Sequence, residues 1–144
     1  MKFVVTGLPR SRTKWASAFL STPECPVLHD LGMRGDFAIS DPLILLTWKD
    51  IPEDVPIAYI DRPLPEVHES LKDFNVPLTD LLDLAVHAKE MITTREVLVL
   101  DFHNLDARKL WQHCHGTEIS DEYLMVYMDM NIRQQKVEDI RRVA

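Results

Sequence analysis

Hydrophobic positions along the chain fall into runs of two kinds. Three runs are short, nearly unbroken and rich in β-branched residues: Lys2-Phe3-Val4-Val5-Thr6, Ile57-Ala58-Tyr59-Ile60 and Glu96-Val97-Leu98-Val99-Leu100-Asp101. Apolar residues at successive positions face both sides of a pleated strand, so each run predicts a strand buried on both faces. The other runs return every three or four residues. Trp15, Ala18 and Phe19, with Ala16 beside them, form one, and Leu64, Val67, Leu71 and Phe74 a second. Leu78, Leu81, Leu82, Ala85, Val86, Met91 and Ile92 form the strongest, and Leu110, Trp111 and Cys114 a fourth. That period lays one apolar stripe along a helix. Ser21-Thr22-Pro23 ends the first helix, Asp106 or Asn104 caps the fourth, and Ser120 with Asp121 and Glu122 starts a last one, its acids where the helix dipole favours them. The stretch 38–47, holding Leu43-Ile44-Leu45-Leu46, suits a strand or a short helix equally.

Buried strands alternating with helices predict an α/β fold. The expectation is a three-layer P-loop-type domain, its mostly parallel sheet flanked by helices with right-handed crossovers, spanning residues 1–144 as a single domain. All nine prolines lie at or before Pro77, and three of the four glycines precede residue 36, so the first half should be turn-rich and the second built of longer elements. No repeat or linker interrupts the chain, and 144 residues is the size of one domain.

Charge narrows the function. Sixteen Lys and Arg against twenty-three Asp and Glu leave a formal net charge of −7. Polyanions are bound mainly by neutralising phosphates with basic side chains, so this balance argues against nucleic acid as a partner. The apolar runs fall well short of the ~20 residues of a membrane span, and the N-terminus lacks a secretory signal design. No membrane partner is expected, and a cytoplasmic protein is. Cys25 and Cys114 form neither a disulfide framework nor a CxxC pair and read as buried free thiols. The average charge conceals one exception. Residues 1–15 carry Lys2, Arg10, Arg12 and Lys14 and no acid, whereas residues 16–128 carry eight basic and twenty acidic side chains.

That basic island coincides with the segment Val4-Val5-Thr6-Gly7-Leu8-Pro9-Arg10-Ser11-Arg12-Thr13-Lys14-Trp15, a strand, a loop and the start of a helix. Backbone N–H groups of a loop curling into a helix N-terminus converge on one spot, and the helix dipole adds positive potential there, so an anion is bound. Ser11 and Thr13 add hydroxyls; Arg10, Arg12 and Lys14 add full charges. The segment is not a GxxxxGK[ST] loop, because Arg12, Thr13 and Lys14 stand where that pattern needs Gly, Lys and Ser or Thr.

The segment resembles the phosphosulfate-binding loop of the sulfotransferase family, approximately G-x-P-[KR]-S-G-T-T-W after the first strand. Gly7, Pro9, Arg10, Ser11, Thr13 and Trp15 stand at matching positions, while Arg12 replaces the loop glycine and Lys14 the second threonine. A second motif agrees. In that family a later strand ends in an Arg followed eight residues on by a Ser, and here Ile57-Ala58-Tyr59-Ile60-Asp61-Arg62 is followed by Ser70. The chain is similar in length and loop to short sulfotransferase-like P-loop proteins of phages and bacteria.

The resemblance implies 3′-phosphoadenosine 5′-phosphosulfate as the donor cofactor, with the sulfuryl group passing to a hydroxyl or amine of an unidentified acceptor and no metal required. It implies Arg10 at the leaving oxygen, Ser11, Thr13 and Lys14 on the 5′-phosphosulfate, and Arg62 and Ser70 on the 3′-phosphate. Trp15 is either an adenine-stacking residue or core. A general base is expected at His29 and Asp30, after the first helix, with Asp41 as competitor. Two other functions stay open, a catalytically silent nucleotide-binding or protein-assembly module with the same fold and an atypical P-loop nucleotide kinase, and a homo-oligomer is open for the chain in any of these roles. His113-Cys114-His115 has the composition of a metal site, but consecutive helical residues point in different directions, so no metal site is expected there. The segment 131–144, with Ile132, Val137 and Ile140 among basic residues, reads as an edge helix or a partner-docking helix.

Overall fold

The computed structural model describes residues 1–29, 37–72 and 79–126. Asp30, Phe74, Leu78 and the segment 131–144 lie outside them. Among the described residues five strands form one sheet: β1 (Val4–Gly7), β2 (Val27–Leu28), β3 (Ala38–Ser40), β4 (Ile57–Asp61) and β5 (Val97–Asp101). Their spatial order is β2-β3-β1-β4-β5, and every pairing is parallel. The helices are α1 (Thr13–Leu20), α2 (Leu64–Leu71), α3 (Thr79–Ile92) and α4 (Ala107–His115), with residues 121–126 forming a further helical segment, α5.

Period two along the central strands divides the core. Val5, Ala38, Ala58, Ile60 and Leu100 pack with Trp15, Ala16, Phe19 and Leu20 of α1 and Leu110 of α4. Val4, Ile39, Ile57 and Tyr59 face the other way, onto Ile44 and Leu45, Val67 of α2, and Leu82, Ala85, Ala88 and Ile92 of α3. The α/β expectation of a parallel sheet between two helical layers is therefore what the structure shows. Among the described residues no helix is long and apolar enough to cross a membrane.

Three local readings change. The stretch 38–47 is strand and then helix: Asp41 accepts from Leu43 N at 2.9 Å and caps a 3-10 helical segment, Pro42–Asp50, kinked at Thr47, so an acid followed by proline splits one apolar run into two elements. The run 96–101, expected to be buried on both faces, is an edge strand among the described residues, with Val99 53% exposed. In α1 the buried stripe is Trp15, Ala16, Phe19 and Leu20, and Ala18 is exposed. The caps of α4 follow the residues at its ends: the Asp106 carboxylate accepts from Lys109 N at 3.1 Å, and Gly116, at φ 71°, closes the other end.

Candidate functional site

The sheet order puts one location apart from the rest. From β1 the chain leaves through α1 toward β2 on one side, while from β4 it leaves through α2 and α3 toward β5 on the other. Between the C-terminal ends of β1 and β4 the connections diverge, leaving the crevice in which open α/β sheets bind ligands. Gly7 ends β1 there, in register with Ile60. A Cβ on it would lie 2.7 Å from the Ile60 carbonyl oxygen and 3.0 Å from Ser11 Cβ, so only glycine lets the loop close this tightly.

Two loop residues adopt left-handed backbone without being glycine: Arg10 at φ 68° and Arg12 at φ 65°. Each conformation costs on the order of 1–2 kcal/mol for a residue with a Cβ, so the surrounding contacts must hold it. For Arg10 those contacts come from the second motif. Arg62 Nη1 donates to the Arg10 carbonyl at 2.8 Å, and Arg10 Nε donates to Ser70 Oγ at 3.4 Å. Strand β4, helix α2 and the loop after β1 thus meet at Arg10, from residues 52 and 60 positions away.

Ser11 is fully buried, and its Oγ makes no hydrogen bond among the described residues. It lies 3.6 Å from the position of a Gly7 Cβ, inside the turn of the loop. Buried hydroxyls are normally paired, so a donor held in this place fits an anionic ligand. Thr13 is buried at the start of α1, Pro9 is half-buried, and Arg10 and Lys14 are exposed. Trp15 is buried in the core, stacked on Phe19 with centroids 4.9 Å apart. Of its two roles, the geometry meets the packing one.

His29 follows β2, and the site reaches it through β3. Its Nδ1 donates to the Ser40 carbonyl at 2.6 Å, while Ser40 Oγ donates to the Thr13 carbonyl at 2.6 Å, tying the histidine to the first turn of α1. With Nδ1 protonated, the neutral ring carries its lone pair on Nε2. Asp41 is buried and used structurally: its carboxylate caps the 3-10 helix and its carbonyl accepts from Thr6 Oγ1 at 3.0 Å.

No protein-family model, curated protein or solved structure matches the chain.

The end of β5 supplies residues that the motifs did not single out. The guanidinium carbons of Arg12 and Arg62 lie 4.6 and 4.3 Å from the centroid of the Phe102 ring. Beside them, His103 Nε2 bonds Glu66 at 2.7 Å, and Glu66 stands 3.9 Å from Arg62 Nε. On the opposite face, Lys89 bonds Asp61 at 2.9 Å; burial, and then the Asp61 charge, push the Tyr59 phenol well above its ordinary value. Asp61-Arg62 and Asp101-Phe102 each close an apolar run in the sequence, but it is the pairing of Asp61 with Asp101 in the structure that brings Arg62 and Phe102 side by side.

The His113-Cys114-His115 triplet diverges. His113 Nε2 donates to the Ile57 carbonyl at 2.9 Å and His115 Nε2 to the Leu20 carbonyl at 2.8 Å, each fastening α4 to another element. Of the two cysteines expected to be buried, Cys25 is buried and Cys114 is half-buried against the α1/α4 core; its partial burial still pushes the Cys114 thiol far above its ordinary value, with nearby Cys25 adding to the effect.

Proposed function

We propose that the chain is a P-loop-type, sulfotransferase-like protein that binds 3′-phosphoadenosine 5′-phosphosulfate in the crevice between β1 and β4. The observation that carries this reading is the meeting of Arg10 with both Arg62 and Ser70, since a loop motif and a strand-helix motif far apart in sequence supply cations and hydroxyls to one place. The buried Ser11 hydroxyl supports an anion as the ligand. Arg62 and Ser70 would hold the 3′-phosphate by charge-assisted hydrogen bonds, and Gly7, Ser11, Arg12, Thr13 and Lys14 the 5′ side. Arg10 would neutralise the phosphate oxygen that leaves as the sulfur–oxygen bond to the donor breaks. His29 Nε2 would accept the proton of the acceptor hydroxyl or amine as its heteroatom bonds to sulfur.

Calorimetric titration with adenosine 3′,5′-bisphosphate, AMP, ADP and ATP tests the reading. A clear preference for the bisphosphate, reduced at least about tenfold in Arg62→Ala, is expected from loss of a charge-assisted contact. Equal indifference to all four would end the nucleotide reading, and preference for ATP would favour an atypical kinase. One observation favours binding without transfer: Arg12 occupies the loop glycine's place, and its side chain lies against Phe102. A labelled-sulfate screen over acceptors, with Arg10→Ala as the inactive control, separates enzyme from silent binder.

A further inference from the structure

We propose that Phe102 is a positioning residue of the anion site, setting the separation of Arg12 and Arg62 so that the two guanidinia act together on a ligand with two anionic groups. The inference rests on the anion-binding reading of the crevice but adds a third wall to it, the end of β5. Phe102 is fixed from below. Its side chain is buried in the α1/α4 layer, and its N–H donates to the Asp61 carbonyl at 3.0 Å, extending the β4 and β5 ladder by one residue. Above it lie Arg12, from the loop after β1, and Arg62, from the end of β4.

Both guanidinia lie against the Phe102 ring. The negative face of an aromatic ring attracts each guanidinium, and a buried ring orients better than solvent would. Arg62 is further fixed by the Arg10 carbonyl and flanked by Glu66. Arg12 reaches the same ring from a left-handed backbone position, so one rigid side chain contacts both guanidinia. Glycine at position 12 would leave Phe102 a single arginine, so the arrangement depends on one of the two residues in which this loop departs from the sulfotransferase pattern.

The test compares wild type, Phe102→Leu and Phe102→Tyr, titrated with adenosine 3′,5′-bisphosphate and with inorganic pyrophosphate. Arginine Nε–H resonances are recorded first without ligand. Ring-shifted Arg12 and Arg62 signals are expected in wild type and Phe102→Tyr, and unshifted ones in Phe102→Leu. Affinity should fall about tenfold in Phe102→Leu and stay within about twofold in Phe102→Tyr, on the scale of lost cation–π contacts. The loss should shrink in an Arg12→Ala background, which a purely structural effect would not do. Unchanged affinity in Phe102→Leu overturns the proposal while leaving the nucleotide reading intact. Tight pyrophosphate binding without bisphosphate preference, lost in Phe102→Leu, supports Phe102 and ends the nucleotide reading. Binding of neither anion by wild type overturns both.

Discussion

Two segments of this chain concentrate reactive side chains in a few residues, the loop after β1 and the triplet at the end of α4, and folding treats them in opposite ways. In the loop, backbone turns at Arg10 and Arg12 bring residues from β4, α2 and the end of β5 to one crevice. In the triplet, a regular helix sends three neighbours to three places: His113 to β4, His115 to α1, and Cys114, half-buried, against the α1/α4 core. A helix rotates each residue about 100° from the last, so adjacency in a helical sequence separates side chains in space. Reactive residues converge where the chain bends at the end of a buried strand, because other strands end beside it.

The largest expected effect breaks the loop. Gly7→Ala puts a Cβ 2.7 Å from the Ile60 carbonyl oxygen, which belongs to the backbone of a central strand and cannot swing aside. Overpacking of this kind costs about 3 kcal/mol, read as a lower midpoint in urea unfolding, and anion binding should be lost with it. An alanine variant as stable as wild type would show that β1 and β4 do not close so tightly. The matching change in the triplet is His115→Ala. It removes the bond to the Leu20 carbonyl and ring contacts with Phe3 and Trp111, at about 2 kcal/mol. Anion affinity should not change, and zinc added to wild type should leave the unfolding temperature where it was. A zinc-dependent rise would make the triplet a site after all.

What was legible in the sequence follows the same division. β1 and β4 announce themselves because strands covered on both faces need unbroken apolar runs. The run of β5 looks the same but is an edge strand among the described residues, and an apolar run does not show whether a neighbour strand exists. β2 is two residues long, too short for any period to register. Arg62 and Ser70 were legible as a spacing, since a strand end and the next helix are linked by a short local connection. Phe102 was not, because its place beside Arg12 and Arg62 depends on which strands are neighbours and in what register.

Cys114 separates the two regions by pH. Its thiol is raised from an ordinary value of 9.0 by burial. A raised folded value means that the unfolded chain loses its proton first as pH climbs, so stability is intact below about pH 9 and declines above it. The slope reaches at most about 1.4 kcal/mol per pH unit for one proton. Urea unfolding of wild type and Cys114→Ala from pH 8 to 10 should give curves that diverge above pH 9, with the wild type falling faster. Parallel curves would mean that Cys114 ionises in the folded protein as readily as in the unfolded chain. The thiol should also resist alkylation at pH 8 until the protein is unfolded.

The smallest expected effect is the most informative about the loop. Arg12 combines a backbone cost, left-handed φ in a residue with a Cβ, and a side-chain gain, its contact with Phe102. Arg12→Ala keeps the cost and forfeits the gain, so it should destabilise by about 1 kcal/mol. Arg12→Gly relieves the cost as it forfeits the gain, and the result should lie within about 0.5 kcal/mol of wild type. Both variants should bind anion more weakly, because both lack the guanidinium. If glycine were instead as destabilising as alanine, the left-handed turn would not be where the loop stores its strain. If glycine bound the bisphosphate more tightly than wild type, Arg12 would be an obstruction in the crevice, and its contact with Phe102 would serve to hold it out of the ligand's way.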